Sequence, residues 1–381
     1  MAKNTLISLP TCLAHTSRPL ILDGGMGTVL QSFDLAAADF GGENYAGCFE
    51  YLALHNPAPL QKAHQAYLDA GADIIETCTF GASPIVLQEF GLAEQAYAIN
   101  QANAQLAKSL ASKASTPDKP RFVAGSLGPT TKSLTLQHLT FEEMVDNYYP
   151  QALGLYDGGI DYFLLETAND PLTLKAARIA LKKVLREKHD PEFPVALSAT
   201  FSGQQMLAGQ DIRAYWAITQ AWRPFYLGLN CITEGELPLL NFLLQHATCP
   251  VAVMPNNGLP NEHGQYAQTP ARFLAQLKPF LNPPAGRGLK LVGGCCGTTP
   301  AHIKALAEYI SLNFSSGDAW PTVDLPPKSA APQHHPSVLA GTTWLNIDDL
   351  PRPIIAGERT KVLGAKSFRE AVQKHDWAAA T

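Results

Sequence analysis

Short apolar runs recur eight times along the chain, and their alternation with helical segments limits the folds that are available to it. Each run is rich in residues that favour β-strands, and the runs lie at 20–23, 72–77, 122–126, 162–167, 195–200, 226–231, 251–255 and 289–293. Runs that are apolar throughout are typical of parallel strands buried on both faces. Eight such strands alternating with helices favour a (β/α)8 TIM barrel. An open, doubly wound sheet is the alternative, because strand order is not visible in a sequence.

Composition indicates a folded chain and excludes two classes of partner. Of the 381 residues, 46% are hydrophobic and 16% are charged, whereas an average soluble protein is about 25% charged. The net charge of -5 provides no basic field for nucleic acid. The sequence has neither a signal-peptide pattern nor an apolar run of transmembrane length. We therefore expect a cytoplasmic protein that binds neither nucleic acid nor a membrane.

A change in composition near residue 317 predicts the domain boundaries. Proline punctuates the segment that follows, which is typical of a linker. The last thirty or so residues are too few to bury a core of their own. We predict an N-terminal extension at 1–18, the barrel at 19–320, a Pro-rich linker at 321–350 and the incomplete start of another domain at 351–381.

The ends of the predicted strands carry most of the residues with catalytic or binding potential. In a TIM barrel the active groups lie at the C-terminal ends of strands, because the loops that follow the strands build that face. The candidates at or just beyond these ends are Asp23, Gly24, Gly25, Glu76, Glu166, Asn230, Cys231, Cys295 and Cys296. We therefore predict a single site at this rim, formed by carboxylates, glycines and thiols.

Three of the seven cysteines are placed to bind a metal. An odd number with one adjacent pair argues against a disulfide framework and favours a reducing compartment. Cys231, Cys295 and Cys296 follow the sixth and eighth predicted strands, so their thiolates can meet at one ion. Three protein ligands leave one tetrahedral position open, as in catalytic zinc sites, and thiolates favour zinc. We interpret the other four as small buried hydrophobic residues: Cys12, Cys48, Cys78 and Cys249.

Several motifs, in order along the chain, resemble the homocysteine S-methyltransferase family of zinc-dependent (β/α)8 barrels. They are LDGGMGT at 22–28, GADIIETCTF at 71–80, GSLGPT at 125–130, LLETAND at 164–170, GLNC at 228–231 and VGGCCGTTPAHI at 292–303. Three more stretches resemble the N-terminal homocysteine-binding module of cobalamin-dependent methionine synthase: LQSFDLAAADFGGENY, KPRFVAGSLGPT and NNGLPNEHGQY. The terminal AGERTKVLGAKSFRE resembles the opening of the folate-binding domain that follows that module.

This resemblance implies a zinc centre with one position for the substrate. Cys231, Cys295 and Cys296 would ligate the ion, and the sulfur of homocysteine would take the fourth position. A free thiol is mostly protonated at neutral pH, and coordination to zinc lowers its pKa so that the attacking sulfur is a thiolate. Asn230 would either hydrogen-bond beside the metal or hold a turn.

The resemblance also implies how the amino acid is bound. Glu166 would bind the substrate amino group. Asp23, with the amides of Gly24 and Gly25, would position the amino acid, because free amide donors in a glycine-rich turn can bind a carboxylate closely. Glu76 would orient loops or bind the amine.

The implied activity is methyl transfer to the thiol of L-homocysteine, giving L-methionine. The incomplete folate-domain start implies a homocysteine module or subunit of a cobalamin-dependent methionine synthase. Methylcobalamin would then be the donor on another domain or chain, with cobalamin- and methyltetrahydrofolate-binding domains as partners. The alternative is a free-standing transferase that uses betaine or S-methylmethionine.

Two rivals come from other functional classes. A zinc hydrolase would hold an activated water at the open position, but such sites usually draw on His and carboxylate ligands. The second rival is a noncatalytic module that binds homocysteine for a partner or for regulation.

Overall fold

A computed structural model of the chain describes residues 7–135, 139–283, 287–314, 338–346, 370 and 373–374. The chain divides into two units, one of Met1–Ala331 with Ala340–Trp344 and one of Pro332–Leu339 with Leu345–Thr381. Most of the predicted linker and of the predicted domain start at 351–381 lies outside the described residues. Those two assignments therefore stay predictions.

Eight parallel strands form the sheet of the first unit. They are β1 Leu20–Ile21, β2 Ile74–Glu76, β3 Phe122–Leu127, β4 Tyr162–Ala168, β5 Val195–Ala199, β6 Leu227–Asn230, β7 Val251–Met254 and β8 Leu291–Val292. Their order is β1-β8-β7-β6-β5-β4-β3-β2. A parallel bridge between Leu22 and Ile74 joins the two ends of this order, and Asp73 N donates to Ile21 O at 2.7 Å. This closure confirms the predicted TIM barrel and excludes the open sheet.

Helices follow the strands and surround the barrel. Pro171 begins α8 (Pro171–Glu187), and the preceding Asp170 accepts a hydrogen bond from Leu172 N at 2.9 Å and so caps the helix. The other α-helices are α1 Leu9–His15, α2 Met26–Gln31, α3 Leu52–His55, α4 Ala58–Ala70, α5 Pro84–Leu87, α6 Ala96–Ala114, α7 Phe141–Asp157, α9 Ile212–Gln220, α10 Leu240–His246, α11 Pro270–Leu281 and α12 Pro300–Asn313.

The remaining elements are short. Single turns of 3₁₀ helix lie at Ala37–Phe40, Glu43–Tyr45, Phe49–Tyr51, Gln88–Phe90, Ala93–Gln95 and Leu237–Leu239. Two strands near the C-terminus, β9 Val338–Ala340 and β10 Trp344–Asn346, pair with each other. None of the helices in the described ranges is both long and apolar enough to cross a membrane.

The barrel interior is apolar towards the N-terminal ends of the strands. Successive side chains of a strand point to opposite faces, so Tyr162 and Leu164 of β4 face inward while Phe163 and Leu165 face the helices. The inward residues form one buried cluster: Leu20, Leu22, Ile74, Phe122, Ala124, Tyr162, Leu164, Ala196, Tyr226, Ala252, Met254 and Leu291. Leu9 and Leu13 of α1 join this cluster. The helix within the predicted N-terminal extension therefore packs against the barrel core.

Candidate metal centre and substrate site

A layer of polar side chains replaces the apolar cluster at the C-terminal end of the barrel. The next inward position of four strands, two residues beyond the apolar cluster, carries a polar side chain. These side chains are Glu76 in β2, Ser126 in β3, Glu166 in β4 and Ser198 in β5. Asn230 ends β6 in the same layer. The alternation of the strands therefore directs these polar side chains to one end of a closed barrel.

Glu166 and Asn230 are in direct contact at the centre of this layer. Asn230 Nδ2 donates to Glu166 Oε2 at 3.0 Å, and Ser126 Oγ donates to Glu166 Oε1. Asn230 Oδ1 accepts from Thr167 N at 2.8 Å and from Ser198 Oγ at 2.7 Å. Because the amide oxygen is engaged by two donors, the amide nitrogen faces the carboxylate. The Glu166 side chain is thus held in one orientation.

Asp23 and Glu76 place two further carboxyl groups beside Glu166. Asp23 is 2% exposed, and its Oδ2 accepts from Glu76 N at 2.9 Å, which ties the end of β1 to the end of β2. The Glu76 carboxylate accepts no hydrogen bond within the described parts of the chain. Burial raises the pKa of Glu166 to about 7. Burial, and then the charges of Glu166 and Asp23, raise the pKa of Glu76 well above its usual range.

Burial also raises the pKa of Asp23 well above its usual range. Asp23 and Glu166 are buried and Glu76 is half-buried. Three carboxyl groups placed close together in this way resist ionisation, because each charge loses hydration and repels its neighbours. A cation bound among them would relieve both penalties. The layer is therefore suited to an ammonium group.

The glycine-rich turn after β1 is packed more tightly than the sequence indicates. Gly25 N donates to Thr298 Oγ1 at 3.0 Å, so the expectation of a free amide donor is wrong for Gly25. A Cβ atom at Gly24 would lie 2.7 Å from Thr298 Oγ1 and 3.0 Å from the Tyr67 ring. Close approach to residues far away in the sequence therefore accounts for the absence of side chains here.

Cys231, Cys295 and Cys296 meet at the rim, as predicted. Their sulfur atoms all lie within 4.8 Å of one another, and all three residues are half-buried. Cys231 adopts a left-handed conformation with φ of 54° directly after β6, which is uncommon for a residue other than glycine. Zn–S bonds of about 2.3 Å place the sulfur ligands of a tetrahedral ion about 3.8 Å apart. The donor set and its spacing fit zinc, and no other cluster of this kind occurs among the described residues.

The remaining cysteines do not join this centre. Cys48, Cys78 and Cys249 are buried, as expected for small hydrophobic residues of the core, whereas Cys12 is half-buried.

Two residues for which the sequence predicted no role surround the sulfur atoms. Asn256 Nδ2 lies 3.8 Å from Cys231 Sγ, and Asn256 Oδ1 accepts from Cys296 N at 3.1 Å. The Tyr266 ring packs against the cysteine loop, where a Cβ added at Gly297 would lie 2.1 Å from the ring Cγ. Asn256 follows the seventh strand at the same rim, and that position could have identified it. Tyr266 lies in an irregular loop and gave no signal.

Comparison with known proteins identifies the family. Residues 20–310 match the profile of the homocysteine S-methyltransferase family. The chain is 36% identical over 367 residues to the methionine synthase of Mycobacterium leprae, covering 94% of this chain and 29% of that protein. It is also 36% identical over 370 residues to the methionine synthase of Mycobacterium tuberculosis, covering 95% of this chain and 29% of that protein. The chain thus spans less than a third of the length of these relatives.

Solved structures give the same assignment. The homocysteine methyltransferase MmuM from Escherichia coli, in its metallated form, matches with a TM-score of 0.60 and 25% identity, covering 76% of this chain and 96% of that one. Its oxidized form matches with a TM-score of 0.59 and 26% identity over the same shares of the two chains. The chain belongs to the homocysteine S-methyltransferase family.

Proposed function

We propose that the chain transfers a methyl group to the thiol of L-homocysteine and so forms L-methionine. The observation that carries this proposal is the set of three sulfur atoms within 4.8 Å of one another, at the same rim as the carboxyl groups of Asp23, Glu76 and Glu166. Homocysteine offers a thiol for the first group and an ammonium for the second. A zinc hydrolase that activates water would not need these carboxyl groups.

Zinc is the metal that this donor set favours, with Cys231, Cys295 and Cys296 as its ligands. When bound, zinc lowers the pKa of a substrate thiol so that it reacts as a thiolate at neutral pH. The match to a metallated relative supports a metal at this position. The thiol proton leaves to water before transfer.

The three carboxyl groups of the polar layer have different roles in the binding of the amino acid. Glu166, held by Ser126 and Asn230, keeps lone pairs for an ammonium group. Glu76 accepts no hydrogen bond from the residues that the structure describes, and it lies close enough for its charge to interact with that of Glu166. We assign the ammonium to these two carboxylates and assign to Asp23 the role of joining β1 and β2.

In the transfer itself, a lone pair of the substrate sulfur forms the new bond to the methyl carbon. The bond between the methyl group and its donor breaks, and its electron pair leaves with the donor. The product is a neutral thioether. Loss of the sulfur charge weakens its attraction to a cation and favours release of methionine.

We infer that the donor is methylcobalamin carried by another domain or chain. Four large apolar side chains are exposed on segments that follow strands at the rim: Phe80 (44%), Leu172 (44%), Leu207 (82%) and Leu259 (75%). Exposed apolar side chains around one opening favour docking of a large partner. The mycobacterial relatives are more than three times as long as the matched region, which leaves room for cobalamin- and methyltetrahydrofolate-binding domains. We propose 321–350 as the linker to them.

The second candidate is a free-standing transferase that uses betaine or S-methylmethionine. One observation favours it: the match to MmuM extends over 96% of that chain.

Transfer assays separate the two candidates. The full chain, loaded with zinc, is incubated with homocysteine and either methylcobalamin, betaine or S-methylmethionine, and methionine is quantified. We expect methionine with methylcobalamin and none with the small donors. Turnover of a small donor alone would promote the second candidate, and no methionine with any donor would overturn methyl transfer to homocysteine.

A further inference from the structure

A short segment within the predicted linker packs back onto the barrel. Residues 340–344 belong to the same unit as the barrel, although much of the predicted linker separates them from the end of α12. Gly341 N donates to Thr343 O at 2.9 Å and closes a tight turn. We call residues 341–344 the strap, because they bind the chain to the barrel at a point far beyond the last barrel helix.

The strap is hydrogen-bonded to the start of α9. Asp211 N donates to Thr342 O at 2.8 Å. Thr343 Oγ1 donates to Asp211 Oδ2 at 2.7 Å and accepts from Arg213 Nη2 at 2.9 Å. Hydrogen bonds that involve a charged group are stronger than those between neutral groups. Asp211 also caps α9, since its Oδ1 accepts from Ala214 N at 2.8 Å. The strap and the helix therefore share one carboxylate.

An aromatic cluster on α9 and α10 receives the last residue of the strap. The rings of Trp344 and Trp216 meet edge to face, with their centroids 5.7 Å apart. Trp216 in turn packs edge to face with Phe242 and with His246, each at 5.9 Å. Trp216 and Phe242 also pack against the barrel core. Aromatic pairs in this arrangement add stabilisation beyond the area that they bury, so Trp344 connects the strap to the core.

The strap also borders a loop that carries one of the exposed rim leucines. The loop between β5 and α9 spans 200–211 and exposes Leu207 (82%). In its middle, Ala208 N donates to Asn169 O at 3.1 Å, which ties it to the loop after β4. At its end, the last residue of the loop donates its backbone N–H to Thr342 O. The strap therefore supplies one of the contacts that hold this loop.

We propose that the strap is an intramolecular partner of the α9–α10 face and holds the β5–α9 loop in place for donor docking. Gly203 and Gly209 of this loop have φ of 63° and 92°, so its backbone would gain much conformational entropy on release. A loop that is already ordered loses less entropy when a partner docks on Leu207. The docking role rests on the proposed function, whereas the anchoring does not.

Hydrogen–deuterium exchange of the full, zinc-loaded chain, measured by mass spectrometry, tests the anchoring. Trp344→Ala removes the ring that packs on Trp216. Exchange of peptides from 200–211 should become about tenfold faster than in the wild type, the effect of losing one aromatic contact together with its buried area. Exchange of peptides from β4 and the zinc content should not change, because the strap does not contact the barrel interior.

Two matched comparisons isolate the contacts of the strap. Trp222→Ala removes a tryptophan that lies just beyond α9 and packs with Arg178, and it should leave exchange of the loop as in the wild type. Thr343→Val removes the hydroxyl that bonds to Asp211 and should speed exchange of the loop. Thr342→Val should not, because Thr342 contacts Asp211 through its backbone carbonyl.

The docking role is tested with a separately purified methylcobalamin-carrying domain. The concentration of this domain that half-saturates methionine formation should be at least about threefold higher for Trp344→Ala than for the wild type, because docking must then order the loop. Methylation of bound homocysteine by methyl iodide should be the same in both chains, since the strap lies outside the metal centre.

Equal exchange of the loop in Trp344→Ala and the wild type would overturn the proposal. Equally fast exchange in Trp222→Ala would also overturn it, because general loosening around α9 would then explain the effect. Faster exchange with an unchanged half-saturating concentration would overturn the docking role. No methionine from any preparation, the wild type included, together with the expected change in exchange, would reject the proposed function and leave the anchoring in place.

Discussion

Thr298 accepts a hydrogen bond from Gly25 N at 3.0 Å across 273 positions of the sequence. The same hydroxyl donates to Cys295 O at 2.6 Å. A Cβ at Gly294 would lie 2.3 Å from Thr298 Oγ1, so the cysteine loop also needs glycine for this contact. One buried hydroxyl therefore fixes the turn after β1 relative to the loop that holds two of the three sulfur atoms.

Thr298→Val should weaken this connection while preserving side-chain shape. It leaves the half-buried Gly25 amide without its acceptor, and we expect the free energy of unfolding to fall by about 1–3 kcal/mol. Urea denaturation measures the change. Thr298→Ser keeps the hydroxyl and serves as the control; equal stabilities of the Val and Ser variants would show that the hydroxyl does not connect the loops.

The fold could be predicted because each strand of a parallel barrel is buried on both faces. The run at 162–167 reads as continuously apolar up to Glu166, and β4 is found at Tyr162–Ala168. Since parallel strands end at one face, Glu166, Asn230 and the three cysteines could be assigned to one rim before their distances were known.

Contacts that depend on irregular loops could not be predicted. Tyr266 packs against Gly297 from the loop between β7 and α11, where no periodicity relates sequence position to side-chain direction. The free amide expected at Gly25 was wrong because its partner, Thr298, lies on the last loop of the barrel. The sequence pattern of a strand predicts to which face each side chain points, whereas these contacts depend on how two loops that are distant in sequence pack together.

Removing a sulfur ligand should remove the metal. We expect Cys295→Ala and Cys296→Ala to purify without zinc, while circular dichroism shows a folded barrel, because the core is built from apolar side chains. Elemental analysis gives the zinc content. Cys249→Ala, at a buried position outside the centre, should keep its zinc, and full zinc in either ligand variant would reject the assignment.

Glu166→Gln should weaken homocysteine binding without changing zinc content. Loss of a charge-assisted hydrogen bond to the ammonium costs about 1.5–3 kcal/mol, which isothermal titration calorimetry can measure. The same measurement on Glu76→Gln compares the two carboxylates. Unchanged affinity in zinc-loaded Glu166→Gln would move the ammonium site to Glu76.

Ionisation of Glu166 should also make the free energy of unfolding depend on pH. Burial raises its pKa from 4.5 to about 7, so the folded state keeps a proton that the unfolded chain has released. The stabilisation is complete below the unfolded pKa and is lost as the pH rises through about 7. Between pH 5 and pH 8 the wild type should lose about 2 kcal/mol of unfolding free energy relative to Glu166→Gln in the same zinc state. Parallel stability curves from urea denaturation would contradict this.

Replacing the exposed leucines at the rim should weaken methyl transfer only from a large donor that docks there. Leu207→Ser combined with Leu259→Ser removes apolar surface that a docked domain would cover, and two such losses can weaken docking at least tenfold. We therefore expect a higher half-saturating concentration of a separately purified methylcobalamin-carrying domain, with unchanged methylation of bound homocysteine by methyl iodide. Leu312→Ser is the control, since Leu312 is as exposed as Leu207 but lies near the end of α12, away from the rim. Equal loss in that control, or none in the rim variant, would place the docking surface elsewhere.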